Sequence, residues 1–205
     1  MFYRICQFLL YCIFKVWNRF ELHGSKHLPG NSTGFILAAN HVSYLDPPVL
    51  GGRIRRRLGF MAKERLFKIP VLGRMIIWLG ALPIAGDSEF KSMRTVVRAL
   101  KENKAVVIFP EGTRSAGEDF LEAQPGVAFL AHAAGVPIVP CYIEGTAKAW
   151  PRGQKAFRPA KIKVYIGQPI PVKNEAGEDK IVYYRKTADL VMDRIRELKT
   201  QSQNV

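Results

Sequence analysis

Short runs of consecutive apolar residues are the feature that most constrains the fold of this chain. Residues 105–109 (AVVIF) and 34–39 (GFILAA) contain no polar side chain, and a polar loop follows each run directly. Continuous apolar runs of this length are typical of strands that helices cover on both faces, as in parallel sheets. We therefore predict buried strands at these two places, with further strands at residues 58–62, 81–85, 136–143 and 161–166.

Helices are predicted between these strands. One begins at Asp46, a second runs from a Ser88 cap to Lys101, and a third covers residues 125–134 and is closed by Gly135. Near the end of the chain, apolar residues recur at spacings of three and four, which predicts an amphipathic helix packed on the body of the protein. These residues are Ile181, Tyr184, Ala188, Val191, Ile195 and Leu198.

The first buried run leads into a histidine that stands five residues before an aspartate, His41 and Asp46. Residues five apart on one helix differ by about 140° around its axis, so these two face each other only if a loop or a helix start lies between them. Asp46 followed by Pro47 is typical of an N-cap and a first helical residue, and this places that start at Asp46. The carboxylate can then accept the imidazole N–H and favour His41 as a base. The alternatives are that Asp46 only caps the helix and that His41 is solvated.

The second buried run leads into a loop that combines a carboxylate, a glycine and a guanidinium: Glu111, Gly112, Thr113 and Arg114. Anionic ligands bind at the carboxyl ends of such strands, where loop amides and arginine side chains converge. Gly112 allows the backbone to approach a ligand closely. Together the two stretches predict an acyl-transfer site, with a His base oriented by an Asp and with Arg114 holding an anionic acceptor. The alternative for Glu111 and Arg114 is a salt bridge that only shapes the loop.

Three stretches carry a resemblance to a known family: Asn40-His41 with Asp46, then residues 109–115 (FPEGTRS), then residues 136–140 (VPIVP). In this order the chain resembles the glycerolipid acyltransferase superfamily, and the most similar member type is 1-acyl-sn-glycerol-3-phosphate acyltransferase, also called lysophosphatidic acid acyltransferase. The resemblance implies an α/β fold. Its mixed, largely parallel sheet is flanked by helices, with an N-terminal amphipathic helix that associates with membranes.

The resemblance also implies a mechanism. His41 would be the catalytic base and Asp46 its orienting partner. His41 would deprotonate the free hydroxyl of a lysophospholipid, which then attacks the thioester of acyl-carrier protein or coenzyme A and, for lysophosphatidic acid, yields phosphatidic acid. The substrate-binding residues would be Glu111, Gly112, Thr113 and Arg114. Neither a cofactor nor a metal ion is implied, beyond the acyl thioester as co-substrate.

Two positions depart from the family pattern in the region expected to bind the acceptor phosphate. The second block, usually similar to G-x-x-x-I-x-R, runs from Gly80 to Gly86 and lacks the arginine. Gln124, ahead of Gly126, stands where a basic residue is common. These departures leave open whether lysophosphatidic acid or a different lysolipid is the acceptor.

The net charge indicates an anionic partner. The chain has a formal net charge of +14, and residues 1–80 hold twelve Lys and Arg against three Asp and Glu. A nucleic acid, an anionic membrane or acidic substrates would satisfy such an excess. The basic part is also rich in apolar runs and contains no interleaved basic-aromatic platform for stacking bases, so we expect a membrane surface and no nucleic acid. The basic run at residues 53–57 is either a solvated helix end or a contact with anionic lipid.

The N-terminal segment is predicted to be an apolar helix over residues 2–20. Its polar residues Arg4, Gln7, Lys15 and Asn18 fall on one stripe, which suits a helix lying in the membrane interface with its cations toward the headgroups. A spanning helix and a buried core helix are the alternatives. We predict a membrane-associating helix and linker at residues 1–30, an acyltransferase domain at 31–205, and a location at the cytoplasmic face of the cell membrane. Cys6, Cys12 and Cys141 are odd in number, lack metal-ligand spacing and are expected to be reduced thiols.

Two other functional classes remain open. A His-Asp base could instead activate water, which would make the chain a thioesterase or lipid hydrolase that forms product without an acceptor. The chain could also be a non-catalytic module that binds lipid or nucleic acid, and only its positive charge supports this alternative. Salt-sensitive DNA binding would favour that module.

Overall fold

The computed structural model describes residues 2–63, 67–70, 72–78, 80–84, 89–115, 119–151, 154, 158–173 and 179–203. Its strands are β1 (Glu21–His23), β2 (Phe35–Ala39), β3 (Leu58–Lys63), β4 (Ala81–Ile84), β5 (Ala105–Ile108), β6 (Ile138–Glu144) and β7 (Lys163–Ile166). Its helices are α1 (Phe2–Asn18), α2 (Asp46–Arg53), α3 (Leu72–Trp78), α4 (Glu89–Lys101), α5 (Gly126–Ala134), α6 (Thr146–Ala149) and α7 (Lys180–Gln203). A short 3-10 helix covers Ser25–His27.

The strands form one sheet in the order β1-β7-β6-β2-β5-β3-β4. The pairs are parallel except for β6 with β7, which is antiparallel. The predicted fold class, an α/β fold with a mixed, largely parallel sheet flanked by helices, is therefore confirmed. β2 lies between β5 and β6, and all five of its residues are buried, as the continuous apolar run predicts.

Helices cover the sheet on both faces, and β2 shows how its side chains alternate between them. Ile36 and Ala38 belong to the core beneath α4, α5 and α7. Phe35, Leu37 and Ala39 belong to the core beneath α1 and α2. The two layers explain why the run cannot alternate apolar with polar residues, because each face of the strand meets a helix layer.

The predicted helices are present, with two differences. Ser88 lies outside the described residues, so its capping is not described, and α4 begins at Glu89. In α7 the predicted apolar stripe is buried from Ala188 onward, at Ala188, Val191, Ile195 and Leu198, but Ile181 is 78% exposed. The expectation that Ile181 packs on the body is therefore wrong, because the buried stripe begins beyond the first turn of the helix. Gly135 closes α5 in a left-handed conformation (φ 68°), as predicted.

The predicted orientation of the N-terminal helix is wrong for two of its polar residues, Gln7 and Asn18, whereas Lys15 is exposed as predicted. The Gln7 side chain in α1 donates hydrogen bonds to the carbonyls of Gly51 (2.9 Å) and Ile54 (2.7 Å) at the end of α2, where carbonyls lack partners within the helix. Asn18 is fully buried and donates to the carbonyl of Ala160. This part of the polar stripe therefore faces the protein instead of lipid headgroups. Within the described residues, no helix combines the length and apolarity needed to cross a bilayer.

The sheet begins earlier in the chain than the sequence predicts. Residues 1–30 are predicted to contain a helix and a linker, but Glu21–His23 forms β1 and pairs in parallel with β7. The segment assigned to a linker therefore contributes the outer strand of the sheet. The division into two parts at residue 30 stays a prediction.

Two residues of the basic run at residues 53–57, which begins at the last residue of α2, contact other parts of the fold. The Arg53 guanidinium lies 4.5 Å from the ring centroid of Tyr11 in α1. Arg56 donates hydrogen bonds to four backbone carbonyls, those of Pro29, Gly30, Asn31 and Asn103. Burial lowers the pKa of the Arg56 guanidinium below its ordinary value. Arg53 is exposed in the last turn of α2, in agreement with the predicted solvated helix end. Arg56, in contrast, is engaged by backbone carbonyls, which neither predicted alternative describes.

We expect Arg56→Ala to lower the free energy of unfolding by about 2–3 kcal/mol, because a hydrogen bond to a charged group contributes roughly 1.5–3 kcal/mol and several carbonyls lose their donor. Urea denaturation measures the difference. Arg55→Ala is the matched control, since Arg55 is an exposed neighbour whose loss should change stability by less than about 0.5 kcal/mol. Equal effects of the two substitutions would contradict this account.

Candidate active site

The two stretches singled out in the sequence meet at one edge of the sheet. β2 and β5 are parallel neighbours, with Ala38 opposite Ile108, so the chain leaves both strands at the same edge. The loops that follow are joined there, since the Ser115 N–H donates to the carbonyl of His41 (2.9 Å). The parallel pairing therefore brings together residues about seventy positions apart in sequence.

Asn40 fixes the backbone directly before His41. Its side chain is 2% exposed, donates from Nδ2 to the Ile143 carbonyl (3.0 Å) and accepts from the Ile143 N–H at Oδ1 (2.7 Å). These two hydrogen bonds extend the β2–β6 hydrogen-bond ladder by one step, with the Asn40 side chain in the place of a backbone group. The backbone at the end of β2, directly before His41, is therefore held to β6.

His41 and Asp46 are in direct contact. The His41 Nδ1 lies 2.8 Å from the Asp46 Oδ2, and the Asp46 side chain is fully buried while that of His41 is 18% exposed. An ionised carboxylate can only accept, so Nδ1 carries the hydrogen and donates it to Asp46. Nε2 is then the ring nitrogen that is free to take up a proton.

Asp46 does not cap its own helix. Leu45 is the N-cap of α2 and Asp46 is the first helical residue, so the predicted N-cap at Asp46 is wrong by one position. Its Oδ2 instead accepts the backbone N–H groups of Val42 (2.9 Å) and Ser43 (2.8 Å). The carboxylate therefore folds the loop back onto itself and holds His41 in the same arrangement.

Phe109 covers one face of the His41 imidazole. Its ring is stacked on the imidazole of His41, with the centroids 3.9 Å apart and the planes 16° apart. Phe109 directly follows β5, so the neighbouring strand supplies this contact. An aromatic face also attracts a cation, and the stack therefore favours the imidazolium that forms when His41 is protonated.

Glu111 binds backbone groups. It is 4% exposed, its Oε1 accepts the N–H of His41 (2.9 Å), and its Oε2 accepts the N–H of Leu121 (2.9 Å). Both carboxylate oxygens are thus engaged by the protein itself. This geometry suits a residue that positions the His41 loop, in place of the contact with Arg114 considered from the sequence.

Gly112 and Thr113 form the exposed tip of the second loop. The Gly112 N–H donates to the Phe109 carbonyl (3.0 Å), and its φ of 69° lies in the left-handed region that favours glycine. A Cβ at this position would meet the Gln124 side chain at an ordinary 3.5 Å. The requirement for glycine therefore comes from the turn itself and not from crowding by neighbouring atoms.

The guanidinium of Arg114 lies over an aromatic ring from the first loop. Its guanidinium carbon is 3.6 Å from the ring centroid of Tyr44, and Tyr44 is 65% exposed. The ring of Trp150 is tilted toward Tyr44 at 6.3 Å, and the Trp150 carbonyl accepts a hydrogen bond from the Ser43 hydroxyl (3.1 Å). The guanidinium is thereby held at the same edge of the sheet as His41.

Other kinds of catalytic centre find little support in the described part of the chain. Among the described residues, no group of three or more His, Cys, Asp or Glu side chains is arranged to hold a metal ion. Cys141 is fully buried in β6, and burial together with the Asp46 charge raises the pKa of its thiol. Its thiolate, the nucleophilic form, is therefore strongly disfavoured.

Sequence reasoning missed Phe109, Tyr44 and the side-chain bridge of Asn40 to Ile143. Phe109 belongs to a quoted motif, yet its apolar character indicated only the end of a strand. Tyr44 lies between His41 and Asp46, at a position where the motif itself names no residue. Contacts of this kind depend on which loops become neighbours, and one-dimensional spacing does not report them.

Known proteins resemble this chain in sequence and in fold. The Acyltransferase family model matches residues 19–144. The 1-acyl-sn-glycerol-3-phosphate acyltransferase of Bacillus subtilis (strain 168) is 27% identical over 201 residues, covering 97% of this chain and 98% of that protein. A protein of the same name from Limnanthes alba is 31% identical over 170 residues, covering 81% and 59%. The crystal structure of the 1-acyl-sn-glycerophosphate (LPA) acyltransferase PlsC from Thermotoga maritima matches with a TM-score of 0.81 and 27% identity, covering 98% and 79%. The chain belongs to the Acyltransferase family, and the resemblance seen in its sequence is confirmed.

Proposed function

We propose that this enzyme transfers a fatty acyl group from a thioester to the free hydroxyl of lysophosphatidic acid and forms phosphatidic acid. The proposal rests chiefly on the 2.8 Å contact of His41 with the buried Asp46, beside an arginine that can bind a phosphate. The names of the relatives supply the acceptor. The donor is the thioester of acyl-carrier protein or of coenzyme A.

The proton moves through His41 in both halves of the reaction. Nε2 takes the proton of the acceptor hydroxyl as its oxygen attacks the thioester carbonyl. The C–S bond then breaks, and the imidazolium returns the proton to the departing thiolate. Acyl transfer therefore needs no covalent intermediate with the enzyme, and His41 ends the cycle neutral.

Two neighbours favour the charged state of His41 during this cycle. Asp46 is buried, so little solvent screens its attraction for the imidazolium. Phe109 presents its ring face to the same imidazole. Glu111 holds the backbone of His41 and is proposed as a positioning residue of the substrate site.

The first test measures acyl transfer to lysophosphatidic acid by His41→Ala and Asp46→Asn. We expect His41→Ala to lower kcat by at least about 10²-fold because it removes the base. Asp46→Asn should lower kcat by about 10²–10⁴-fold because it removes the charge that orients and stabilises the imidazole. His132→Ala is the matched control, since His132 lies on α5 beside Tyr183, and it should retain kcat. Full activity of His41→Ala, or fatty acid released at the same rate without acceptor, would contradict acyl transfer by this base.

Arg114 is proposed to bind the acceptor phosphate. A planar guanidinium matches the oxygens of a phosphate group, and the Tyr44 ring holds one of its faces. The exposed tip at Gly112 and Thr113 leaves room for the headgroup. The arginine and its aromatic support come from the two different loops, so binding the acceptor also fixes the distance of the headgroup from His41.

We expect Arg114→Gln to raise the acceptor KM at least about tenfold with little change in kcat, because a hydrogen bond to a charged group contributes roughly 1.5–3 kcal/mol. Tyr44→Leu should raise the acceptor KM about two- to fivefold, and Tyr44→Phe should restore it, since a cation over an aromatic face contributes about 0.5–1 kcal/mol at exposed sites. Initial rates over a range of acceptor concentrations separate KM from kcat. A fall in kcat alone, or equal effects of Leu and Phe, would rule out this role.

The membrane is proposed to meet the apolar side of α1, at the cytoplasmic face of the cell membrane. Phe8, Ile13, Val16 and Trp17 are exposed there, between 51% and 81%. The polar residues Gln7 and Asn18 are turned to the protein, so an apolar surface remains outside. The net charge of +14 adds attraction to an anionic bilayer.

We expect Val16→Asp to lower partitioning onto anionic vesicles by about tenfold or more, because burial of a Val side chain contributes about 1.5–3 kcal/mol. Vesicle sedimentation measures the bound fraction. Ile181→Asp is the matched control, because Ile181 is 78% exposed, much like Val16 at 81%, but lies on α7. Equal losses for the two variants would show that charge, and not the α1 surface, governs binding.

A further inference from the structure

A groove lies between α4 and α5, on the sheet face opposite α1 and α2. Its volume is about 500 Å³, and its apolar floor contains Met93, Val97 and Phe129. None of the site residues described above lines it. α4 and α5 pack on the core that also receives α7, while α1 and α2 pack on the other core.

The rim of this groove is cationic around an exposed aromatic residue. Phe90 is 66% exposed, and the Arg94 guanidinium lies 5.6 Å from its ring centroid. Arg98 and Lys101 follow one and two turns later, and Glu102 is the acidic residue among the described side chains that line the groove. Glu102 is shared between Arg98 and Lys104. The groove therefore combines an apolar centre with an excess of positive charge, a combination that suits an acidic protein with an apolar side chain at its contact surface.

The topology places the start of this groove near the active-site edge. β4 is parallel to β3, and β3 is parallel to β5, so the chain leaves β4 at the edge that carries His41 and re-enters β5 at the opposite edge. α4 makes this return. Phe90 and Arg94 are therefore in the turns of α4 nearest to the catalytic edge.

Other occupants fit less well. A second copy of this chain also carries a net charge of +14, so the basic rim would repel it. A bilayer bound through the exposed side of α1 lies on the other face of the sheet. A soluble acidic partner is the remaining occupant whose charge complements the rim.

We infer that the α4–α5 groove docks an acidic carrier protein, the form in which the acyl thioester is delivered. The docking surface stands on the groove alone, while the identity of the cargo rests on the proposed function. Complementary charge would speed association and make it sensitive to salt. The Phe90 ring would supply the apolar contact at the centre of the interface.

The test measures binding of a purified acyl-carrier protein, with and without a palmitoyl thioester, by titration calorimetry at low and high salt. The double variant Arg94→Glu/Arg98→Glu should raise Kd at least tenfold at low salt, and Phe90→Ser should raise it severalfold. Lys26→Glu/Arg55→Glu is the matched control, because it reverses two exposed charges away from the groove and should stay within twofold of the wild-type Kd. Thermal unfolding of each variant checks that the fold is intact.

Transfer assays separate this inference from the proposed function. With the carrier-bound donor, the groove variants should raise the donor KM and keep kcat at saturation, while KM for palmitoyl-coenzyme A stays unchanged. The inference is overturned if the wild type does not bind the carrier, if the groove variants bind it equally well, if both donors are affected alike, or if only vesicle binding falls. If the carrier binds through the groove but the wild type transfers no acyl group, the proposed function fails and the docking surface stands.

Discussion

The fully buried carboxylate of Asp46 is the interaction on which the active-site edge depends. A buried charge is costly unless hydrogen bonds satisfy it, and one oxygen of Asp46 accepts three, from His41 Nδ1 and from the N–H groups of Val42 and Ser43. The loop can bring these three donors to Oδ2 only in a tightly turned conformation, while Oδ1 is buried without a hydrogen-bond partner among the described residues. The charge that shapes the loop is thus the same charge that, under the proposed function, stabilises the imidazolium of His41.

The second loop completes the constraint from the neighbouring strand. Glu111 is also buried. One of its carboxylate oxygens accepts the His41 N–H, and the other accepts the Leu121 N–H. Phe109 stacks on the imidazole. The loop that follows β5 therefore fixes both the backbone and the ring plane of His41, which follows β2. The parallel pairing of β2 and β5 is what makes these distant residues neighbours. This explains why two short motifs with a long intervening segment can form one site.

Local chemistry made much of this predictable from the sequence. Continuous apolar runs predict β2 and β5, and a His ahead of an Asp-Pro helix start predicts their side-chain contact, even though the cap falls at Leu45. Partners that depend on tertiary neighbours were not predictable. Gln7 is polar on an apolar helix, and whether it faces lipid or protein depends on the unsatisfied carbonyls at the end of α2. In the same way, Glu111 beside Arg114 in sequence suggests a salt bridge, but the Glu111 carboxylate instead accepts the N–H of His41, which lies in the loop after the neighbouring strand β2.

The two faces of the sheet offer different surfaces to the two substrates. The exposed apolar side of α1, proposed to meet the membrane that holds the lipid acceptor, lies on one face. The basic α4–α5 groove, inferred to dock the carrier of the donor, lies on the other. On the two proposals together, the carboxyl edge between the faces is the place where both substrates can reach His41 at once. α1 ends at this edge, because the Asn18 carbonyl accepts the N–H of Ile162, just before β7, and β1 runs parallel to β7. α4 starts at the same edge. Because the reactive site lies at one edge of the sheet, the acceptor can approach from one face and the donor from the other. Neither substrate then has to cross the hydrophobic core.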